Sequence, residues 1–298
     1  MSVKRAFAGA ACCLCLQLAP ILGAAECPPD WKASHPEWIW CDDFETDRTA
    51  AYFEKTGSFN RLVGVGYRGS YGMQSTWKPG AVDGGSLKLA FGLTPPGSGI
   101  SPPAGADATT RFREIYYRVY LKSAADWNSG TTRKQSKLSR ATSFAAADWS
   151  QAMIAHLWSS DSNSKVLQID PASCVRGGSV QCSGYNDFAR LRWLGVGNGA
   201  TVVFAAPNAG TWNCIEAHVR LNDAGARNGV QEFWIDGRLE ASRTRLDFVG
   251  SYDGYGINAV LLENYINLGA PQAQSRYWDN LVVSTRRIGC LPARASPR

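Results

Sequence analysis

The chain has 298 residues, of which 45% are hydrophobic, 19% charged and 11% aromatic, with a net charge of +6. These proportions exclude a disordered or collagen-like chain, and after residue 25 no apolar run is long enough to span a bilayer. The 30 glycines, 14 prolines and many aromatic residues favour a turn-rich β protein. The mildly basic charge suits an anionic ligand but does not require one.

The first 25 residues have the pattern of a secretory signal peptide. Lys4 and Arg5 precede an apolar stretch from Ala6 to Leu22, and Gly23-Ala24-Ala25 offers small residues for cleavage. We therefore expect a secreted or periplasmic protein with one sandwich domain over residues 26–298 and a core over about 38–290. A retained membrane anchor is the alternative.

Cleavage after Ala25 would remove three of the nine cysteines and leave an even number: Cys27, Cys41, Cys174, Cys182, Cys214 and Cys290. An even number in an exported chain predicts up to three disulfides. Cys174 and Cys182 flank a Gly-rich turn and are the best local pair, and the connectivity of the others stays open. Zinc is the rival interpretation, but no Cys-x-x-Cys pair is present and His is scarce.

Strand signals dominate the mature chain. Residues 115–122 alternate, with Ile115, Tyr117, Val119 and Leu121 on one face and Tyr116, Arg118, Tyr120 and Lys122 on the other. Further strands are predicted at 153–158, 189–194, 201–205, 215–221, 230–235, 257–262 and 277–284, and Asp236-Gly237 predicts a hairpin turn.

Helix signals are few, at 47–53 and 145–151, and residues 94–107 read as a Pro/Gly surface loop. Many short antiparallel strands with long loops predict an all-β fold, a two-sheet antiparallel β-sandwich or jelly roll.

Three segments resemble the concanavalin A-like lectin/glucanase superfamily: Trp40-Cys41-Asp42-Asp43-Phe44-Glu45, residues 228–237, and residues 277–284. The resemblance implies that the first and last strands pair in one sheet. Within that superfamily the chain is most similar to secreted alginate and glucuronan lyases, through residues 116–122, Lys137-Leu138-Ser139-Arg140 and His156-Leu157-Trp158. The implied function is β-elimination of an acidic, uronate-containing polysaccharide, which needs no redox cofactor.

β-Elimination requires cations to neutralise the uronate carboxylate, a base for the C5 proton and an acid for the leaving oxygen. Arg118 and Lys137 are the candidate cations, His156 is the first choice for the base, and Tyr265 is the candidate acid with Asn264 assisting at the carboxylate. Candidate substrate-binding residues are Tyr116, Tyr120, Arg140, Trp158, Arg192, Trp193 and His218. The alternative for Arg118 is a solvated outer face. For Lys137 and Arg140, which belong to a basic stretch from Arg133, it is a charged surface loop. The alternatives for the others are a structural role for His156 and core positions for Tyr265 and the tryptophans.

A structural calcium ion is a separate expectation. Asp43, Glu45 and Asp279 match by position the acids that hold Ca²⁺ in many sandwich carbohydrate-binding domains, and carboxylates suit this ion. The alternative is that these acids cap strand ends or bind arginine.

Rival functions remain open. A non-catalytic carbohydrate-binding protein would keep an aromatic and basic groove, whereas a structural or adhesion protein would lack a groove. A retaining glycosidase needs two close carboxyls, but Glu232 and Asp236 are four residues apart and Asp236 lies in the turn. Nucleic acid is disfavoured because no long Lys/Arg run is present, and we expect a monomer. A cleft that holds His156, Arg118 and Tyr265 together would favour the enzyme, whereas dispersal of these residues over both sheets would remove this interpretation.

Overall fold

The computed structural model describes residues 26–131 and 136–292. The predicted signal peptide and Arg133 lie outside the described residues. Within these two ranges, helical structure is limited to one turn of α-helix, α1 (Trp31–Ser34), and one 3₁₀ turn (Thr49–Ala51). In the described part of the chain, no helix is long and apolar enough to cross a membrane.

Eighteen strands make up the rest of the regular structure: β1 (Trp38–Asp42), β2 (Glu54–Thr56), β3 (Asn60–Val63), β4 (Tyr71–Trp77), β5 (Asp83–Ala90), β6 (Glu114–Ser123), β7 (Ser136–Phe144), β8 (Gln151–Ser159), β9 (Val166–Ser173), β10 (Val175–Arg176), β11 (Ser179–Val180), β12 (Arg192–Trp193), β13 (Gly197–Val202), β14 (Asn213–Arg220), β15 (Gly229–Ile235), β16 (Arg238–Leu246), β17 (Ala259–Ile266) and β18 (Gln274–Ser284).

Two eight-stranded antiparallel sheets pack face to face and confirm the predicted sandwich. The front sheet has the order β12-β9-β8-β7-β17-β5-β2, with β13 also paired to β9. The back sheet has the order β16-β15-β14-β6-β18-β4-β3, with β1 paired to β18. The pairing of β1 with β18 confirms that the first and last strands share a sheet.

Period-two alternation builds the core between the sheets. On β6, Ile115, Tyr117, Val119 and Leu121 are buried in the core, as predicted. The Tyr117 hydroxyl crosses the sandwich and lies 3.0 Å from Ser139 Oγ on β7. The other face of β6 therefore forms part of the outer surface of the back sheet.

Local predictions had mixed outcomes. The Asp236-Gly237 hairpin is confirmed, with positive φ at both residues (50° and 81°), as a type I′ turn requires. The helix at 145–151 is wrong: this segment is a tight turn between β7 and β8, closed by a hydrogen bond from Ala145 N to Ser150 O. Its short Asp and Ser side chains bond to the backbone instead of supporting a helix.

Three disulfides are formed: Cys27–Cys41, Cys174–Cys182 and Cys214–Cys290. The predicted Cys174–Cys182 pair is confirmed. The other two attach segments near the described chain ends to the back sheet. Disulfides of this number are typical of extracellular proteins.

Candidate functional site

The outer face of the front sheet carries an open pocket of about 370 Å³, here called the front pocket. Strands β5, β7 and β17 supply its floor through Lys88, Lys137, Glu263 and Tyr265. The loop that follows the Cys174–Cys182 disulfide supplies its rim through Tyr185, Asn186 and Phe188.

Strand register arranges these side chains in two rows across the front sheet. One row runs Lys88, Leu261, Arg140, His156, Asp170. The other runs Asp83, Tyr265, Lys137, Trp158, Gln168. Because neighbouring strands are about 4.8 Å apart, Tyr265 on β17 and His156 on β8 are separated by the width of strand β7.

Arg140 and Glu263 form a buried ion pair at the floor. Arg140 Nη2 lies 2.7 Å from Glu263 Oε1, and Arg140 Nη1 donates to Asn186 Oδ1 at 2.6 Å. Tyr185 donates its hydroxyl to the same Glu263 oxygen at 3.1 Å and also contacts Arg140. Although burial opposes ionisation, Arg140, Lys137 and Lys88 together lower the pKa of Glu263. The charge of Arg140 is therefore already balanced.

Lys137 is the cation that the front pocket leaves available. Its Nζ lies 4.8 Å from the ring centre of Tyr265 and 5.0 Å from that of Phe188. Within residues 26–131 and 136–292 it forms no salt bridge, whereas Lys88 pairs with Glu54. Burial lowers the pKa of Lys137, with Glu263 opposing this shift. An anionic ligand would provide the missing counter-charge.

His156 lies beside the front pocket, beneath a cover of aromatic rings. Its Nδ1 is 3.1 Å from the Asp170 carbonyl oxygen, so Nδ1 carries the proton and Nε2 is the acceptor. Nε2 is buried and has no hydrogen-bond partner among the described residues. The ring stacks on Trp158 at 4.3 Å, and Trp193 lies 5.5 Å away. Burial, followed by the charges of Arg140 and Lys137, holds the pKa of His156 well below its usual value.

Exposed aromatic rings border the site at the β12 edge. Trp193 is 43% exposed and Phe188 is 38% exposed. Their rings are nearly parallel, at 5° and 6.2 Å between centres. Paired flat rings of this kind suit the faces of sugar rings. Arg192, the neighbour of Trp193, donates to the Asp247 carbonyl oxygen at 2.9 Å.

Asn264 has a structural position in the wall of the front pocket. It lies where the pairing of β17 with β7 shifts register, between the pairs Leu262–Ser139 and Tyr265–Lys137. Its Oδ1 accepts a hydrogen bond from Trp278 Nε1 at 2.9 Å, and its Nδ2 donates to Gly85 O at 3.2 Å. These bonds hold the Asn264 side chain against the interior of the sandwich, and alternation along β17 places Glu263 and Tyr265 on the outer face, at the front pocket.

The expectation that Arg118 shares a cleft with His156 and Tyr265 is wrong. Arg118 lies on the outer face of the back sheet, on the opposite side of the sandwich. It is buried under the chain ends, where its Nη2 lies 2.5 Å from Glu26 Oε2 and its Nη1 donates to Gly289 O at 3.3 Å. The three-residue cleft therefore does not form, and Lys137 and Arg140 are the cations on the side of His156.

Tyr116, Tyr120 and His218 are on the same outer face of the back sheet, away from the front pocket. Tyr120 accepts a hydrogen bond from Leu291 N at 2.7 Å and is covered by Tyr67. His218 lies between Glu114 and Glu232, at 2.7 and 3.0 Å, with its ring stacked on Tyr116. Alternation identified an outward face correctly but did not indicate which sheet carried it.

Sequence reasoning missed Tyr185, Lys88 and Glu263. Glu263 had a usable signal, since it is the acidic residue that follows a run of apolar side chains on β17. Tyr185 had none, because it belongs to a loop whose path depends on the Cys174–Cys182 disulfide.

Asp43, Glu45 and Asp279 lie in one corner near β1 and β18. Burial raises the pKa of Asp279 to about 8, and the charges of Asp43 and Glu45 add to this shift. Each carboxylate accepts a backbone hydrogen bond, from Cys27, Tyr71 and Tyr67 respectively. In the described ranges, no three acidic, His or Cys side chains are close enough to hold one metal ion. The carboxylates as placed do not form a complete calcium site, and calcium binding stays a prediction.

Comparison with solved structures shows the same fold. The endo-β-1,4-glucuronan lyase of the fungus Trichoderma reesei matches with a TM-score of 0.54 at 15% identity, covering 84% of this chain and 96% of that one. An alginate lyase from Aplysia kurodai matches with a TM-score of 0.58 at 10% identity, covering 84% and 99%. A Chlorella virus alginate lyase matches with a TM-score of 0.54 at 12% identity, covering 83% and 99%.

No family model matches the sequence, and no curated protein matches it significantly. The structural matches confirm the resemblance of fold that the sequence predicted, and at these identities they establish the fold alone.

Proposed function

We propose that this chain is an exported polysaccharide lyase that cleaves a uronate-containing polysaccharide by β-elimination at the front pocket. The observation that carries the proposal is the placement of Lys137, which forms no salt bridge with any described residue, beside the partly exposed Tyr265. The glucuronan and alginate lyases that share the fold support this choice of chemistry.

In this proposal, the Lys137 ammonium binds the uronate carboxylate and stabilises the negative charge that develops when the C5 proton leaves. A neutral His156 takes that proton at Nε2, because Nδ1 already donates to the Asp170 carbonyl. Tyr265, on the far side of strand β7, donates its hydroxyl proton to the departing 4-oxygen. The C4–O bond breaks, and the electron pair of the former C5–H bond forms the C4–C5 double bond.

The buried ion pair supports Lys137 and Tyr265 from below. Glu263 lowers the net charge beneath Lys137, and its bonds to Arg140 and Tyr185 hold the rim loop against the floor. Arg140 has its guanidinium occupied by Glu263 and Asn186. We therefore assign Arg140 a positioning role and give the carboxylate contact to Lys137.

The test follows the ultraviolet absorbance of the unsaturated product when the mature protein is mixed with alginate, glucuronan and neutral pullulan. We expect activity on a uronate polymer and none on pullulan. Tyr265→Phe should lower kcat by at least about 100-fold, the usual effect of losing a general acid. Lys137→Gln should do the same, while Arg286→Gln, an exposed cation elsewhere, serves as the matched control.

His156→Gln separates two versions of the mechanism. A loss comparable to that of Tyr265→Phe would support His156 as the base. Full activity of His156→Gln would instead assign both proton transfers to Tyr265.

A non-catalytic polysaccharide-binding protein is the second candidate, favoured by the 1% exposure of His156. In that case Phe188, Trp193 and Lys137 would bind the same polymer without elimination. Retention on an immobilised uronate polymer, together with no product from any substrate, would establish the binding protein and exclude the lyase.

A further inference from the structure

A second pocket, here called the arginine pocket, lies where the edges of the two sheets meet. Strand β16 of the back sheet and the β12 edge of the front sheet enclose about 380 Å³. Four arginines line it, Arg192, Arg227, Arg243 and Arg245, with Asp247 as the only acidic residue of its lining.

Most of this positive charge is uncompensated. Arg192 is 3.5 Å from the Asp247 carboxylate. Across the part of the chain that the structure describes, Arg227, Arg243 and Arg245 make no salt bridge. Arg243 Nη2 donates to Leu194 O at 3.2 Å, and its Nε is buried with no partner among the described residues. Grouped guanidinium groups with unused donors attract carboxylates or other oxyanions.

The backbone makes room for these arginines. Strand β16 carries a bulge between the two pairs Gly229–Leu246 and Gln231–Arg243 that it forms with β15. Arg245 lies in this bulge and has a left-handed φ of 56°. Bulges at sheet edges redirect side chains. On the facing segment, a Cβ at Gly195 would come within 2.6 Å of Arg243 Nη2. The absence of a side chain at Gly195 therefore leaves the space that the Arg243 guanidinium occupies.

The arginine pocket and the front pocket are linked by one pair of aromatic rings. Phe188 lines the front pocket and stacks parallel to Trp193, which lines the arginine pocket. From β17, which carries Tyr265, to β12 there are four strand spacings, a distance of about 20 Å. This distance spans several sugar units, with two exposed aromatic rings along the way.

We propose that the arginine pocket is a distal subsite that binds the carboxylates of an acidic polysaccharide several sugars away from Tyr265. This inference rests on the proposed function for the identity of the polymer. A polysaccharide is favoured over nucleic acid because the lining of the front pocket has two lysines, and among the described residues Lys88 is paired with Glu54 and only Lys137 has no salt bridge. Nucleic acid, which carries a phosphate at every nucleotide, is bound through several cations.

The experiment compares Arg227→Gln/Arg245→Gln and Arg243→Gln with a charge-matched control, Lys165→Gln/Arg286→Gln, in the full mature protein. Affinity electrophoresis in gels that contain alginate, glucuronan, dextran sulfate or single-stranded DNA measures binding without requiring catalysis. The product absorbance then gives kcat/KM for polymer and for a uronate trisaccharide. Circular dichroism checks that each variant is folded.

For Arg227→Gln/Arg245→Gln, we expect the dissociation constant for the uronate polymer to rise about tenfold, from the loss of two charge-assisted contacts, and Arg243→Gln, which loses one, should show a smaller rise. The ratio of kcat/KM for polymer to that for trisaccharide should fall by a similar factor. The control should retain the wild-type values of both.

Several outcomes would overturn the subsite. The first is that the arginine variants bind the uronate polymer as tightly as the control does. The second is that kcat/KM falls equally for polymer and trisaccharide. The third is that the arginine variants lose binding only to dextran sulfate or DNA. The proposed lyase is judged separately. Polymer binding that depends on these arginines, in a protein that yields no unsaturated product, would keep the subsite and reject the lyase. Cleavage by the wild type, together with no effect of the arginine variants on binding, would keep the lyase and reject the subsite.

Discussion

The buried pair of Arg140 and Glu263 gives the sharpest stability prediction. Arg140 is 0% exposed, and in the described residues Glu263 is its only carboxylate partner, at 2.7 Å. Glu263→Gln keeps the shape of the side chain but leaves the Arg140 cation buried without a counter-charge. Breaking a buried pair from one side costs about 3–5 kcal/mol. We expect a loss of this size in the free energy of unfolding.

Urea unfolding followed by circular dichroism measures the loss, and two controls define its origin. Asp223→Asn, in an ion pair whose acid is 63% exposed, should cost at most about 1 kcal/mol. Arg140→Met/Glu263→Leu should recover most of the loss, because replacing both charges removes the unpaired ion.

Acidification tests the same pair. The pKa of Glu263 is lowered in the folded state. The stability that it contributes is therefore present above its ordinary pKa and is lost as pH falls through the lowered value. The wild type should lose more stability than Glu263→Gln across this acidic range. A Glu263→Gln variant that unfolds within about 1 kcal/mol of the wild type would refute the reasoning.

Further predictions concern other parts of the fold. Burial raises the pKa of Asp170 to about 7, so its contribution to stability is present at acid pH and is lost as pH rises to about 7. Asp170→Asn should remove this pH dependence from the free energy of unfolding, and an unchanged pH dependence would contradict the assignment. Cys174→Ser/Cys182→Ser should lower the free energy of unfolding by about 2–4 kcal/mol. It should also weaken binding of the uronate polymer, because the disulfide no longer constrains the loop that carries Tyr185, Asn186 and Phe188. Unaltered binding would show that this loop does not depend on the disulfide. Calcium is checked by the melting temperature after chelation and re-addition: a rise that Asp279→Asn abolishes would confirm the ion, and no rise would remove it.

The fold could be predicted because its signals are local. The alternation of residues 115–121 assigns the core face of β6, and Asp236-Gly237 fixes a two-residue turn. Cys174 and Cys182 are only eight residues apart, so their pairing was accessible. Cys214 and Cys290 are 76 residues apart, and only the closed sandwich brings them together.

The site could be predicted only in part, because its residues meet across strands that are distant in sequence. Lys137 and His156 were found in segments that resemble the lyases, and Tyr265 was found just after an apolar run. All three do share the front sheet. Tyr185 could not be found, since a loop residue has no periodicity. The contact between Tyr185 and Glu263 joins positions 78 residues apart.

Arg118 and Arg140 show what decides which outer face stays open. Both are buried arginines on alternating strands, and each pairs with one carboxylate. Besides Asn280 on β18, Arg118 bonds to Glu26 and Gly289, which lie near the described chain ends. The partners of Arg140 come from the sheet and an internal loop. The terminal segments therefore cover the back sheet and leave the front sheet accessible to a ligand. The Cys27–Cys41 and Cys214–Cys290 disulfides fix these two segments to strands of the back sheet.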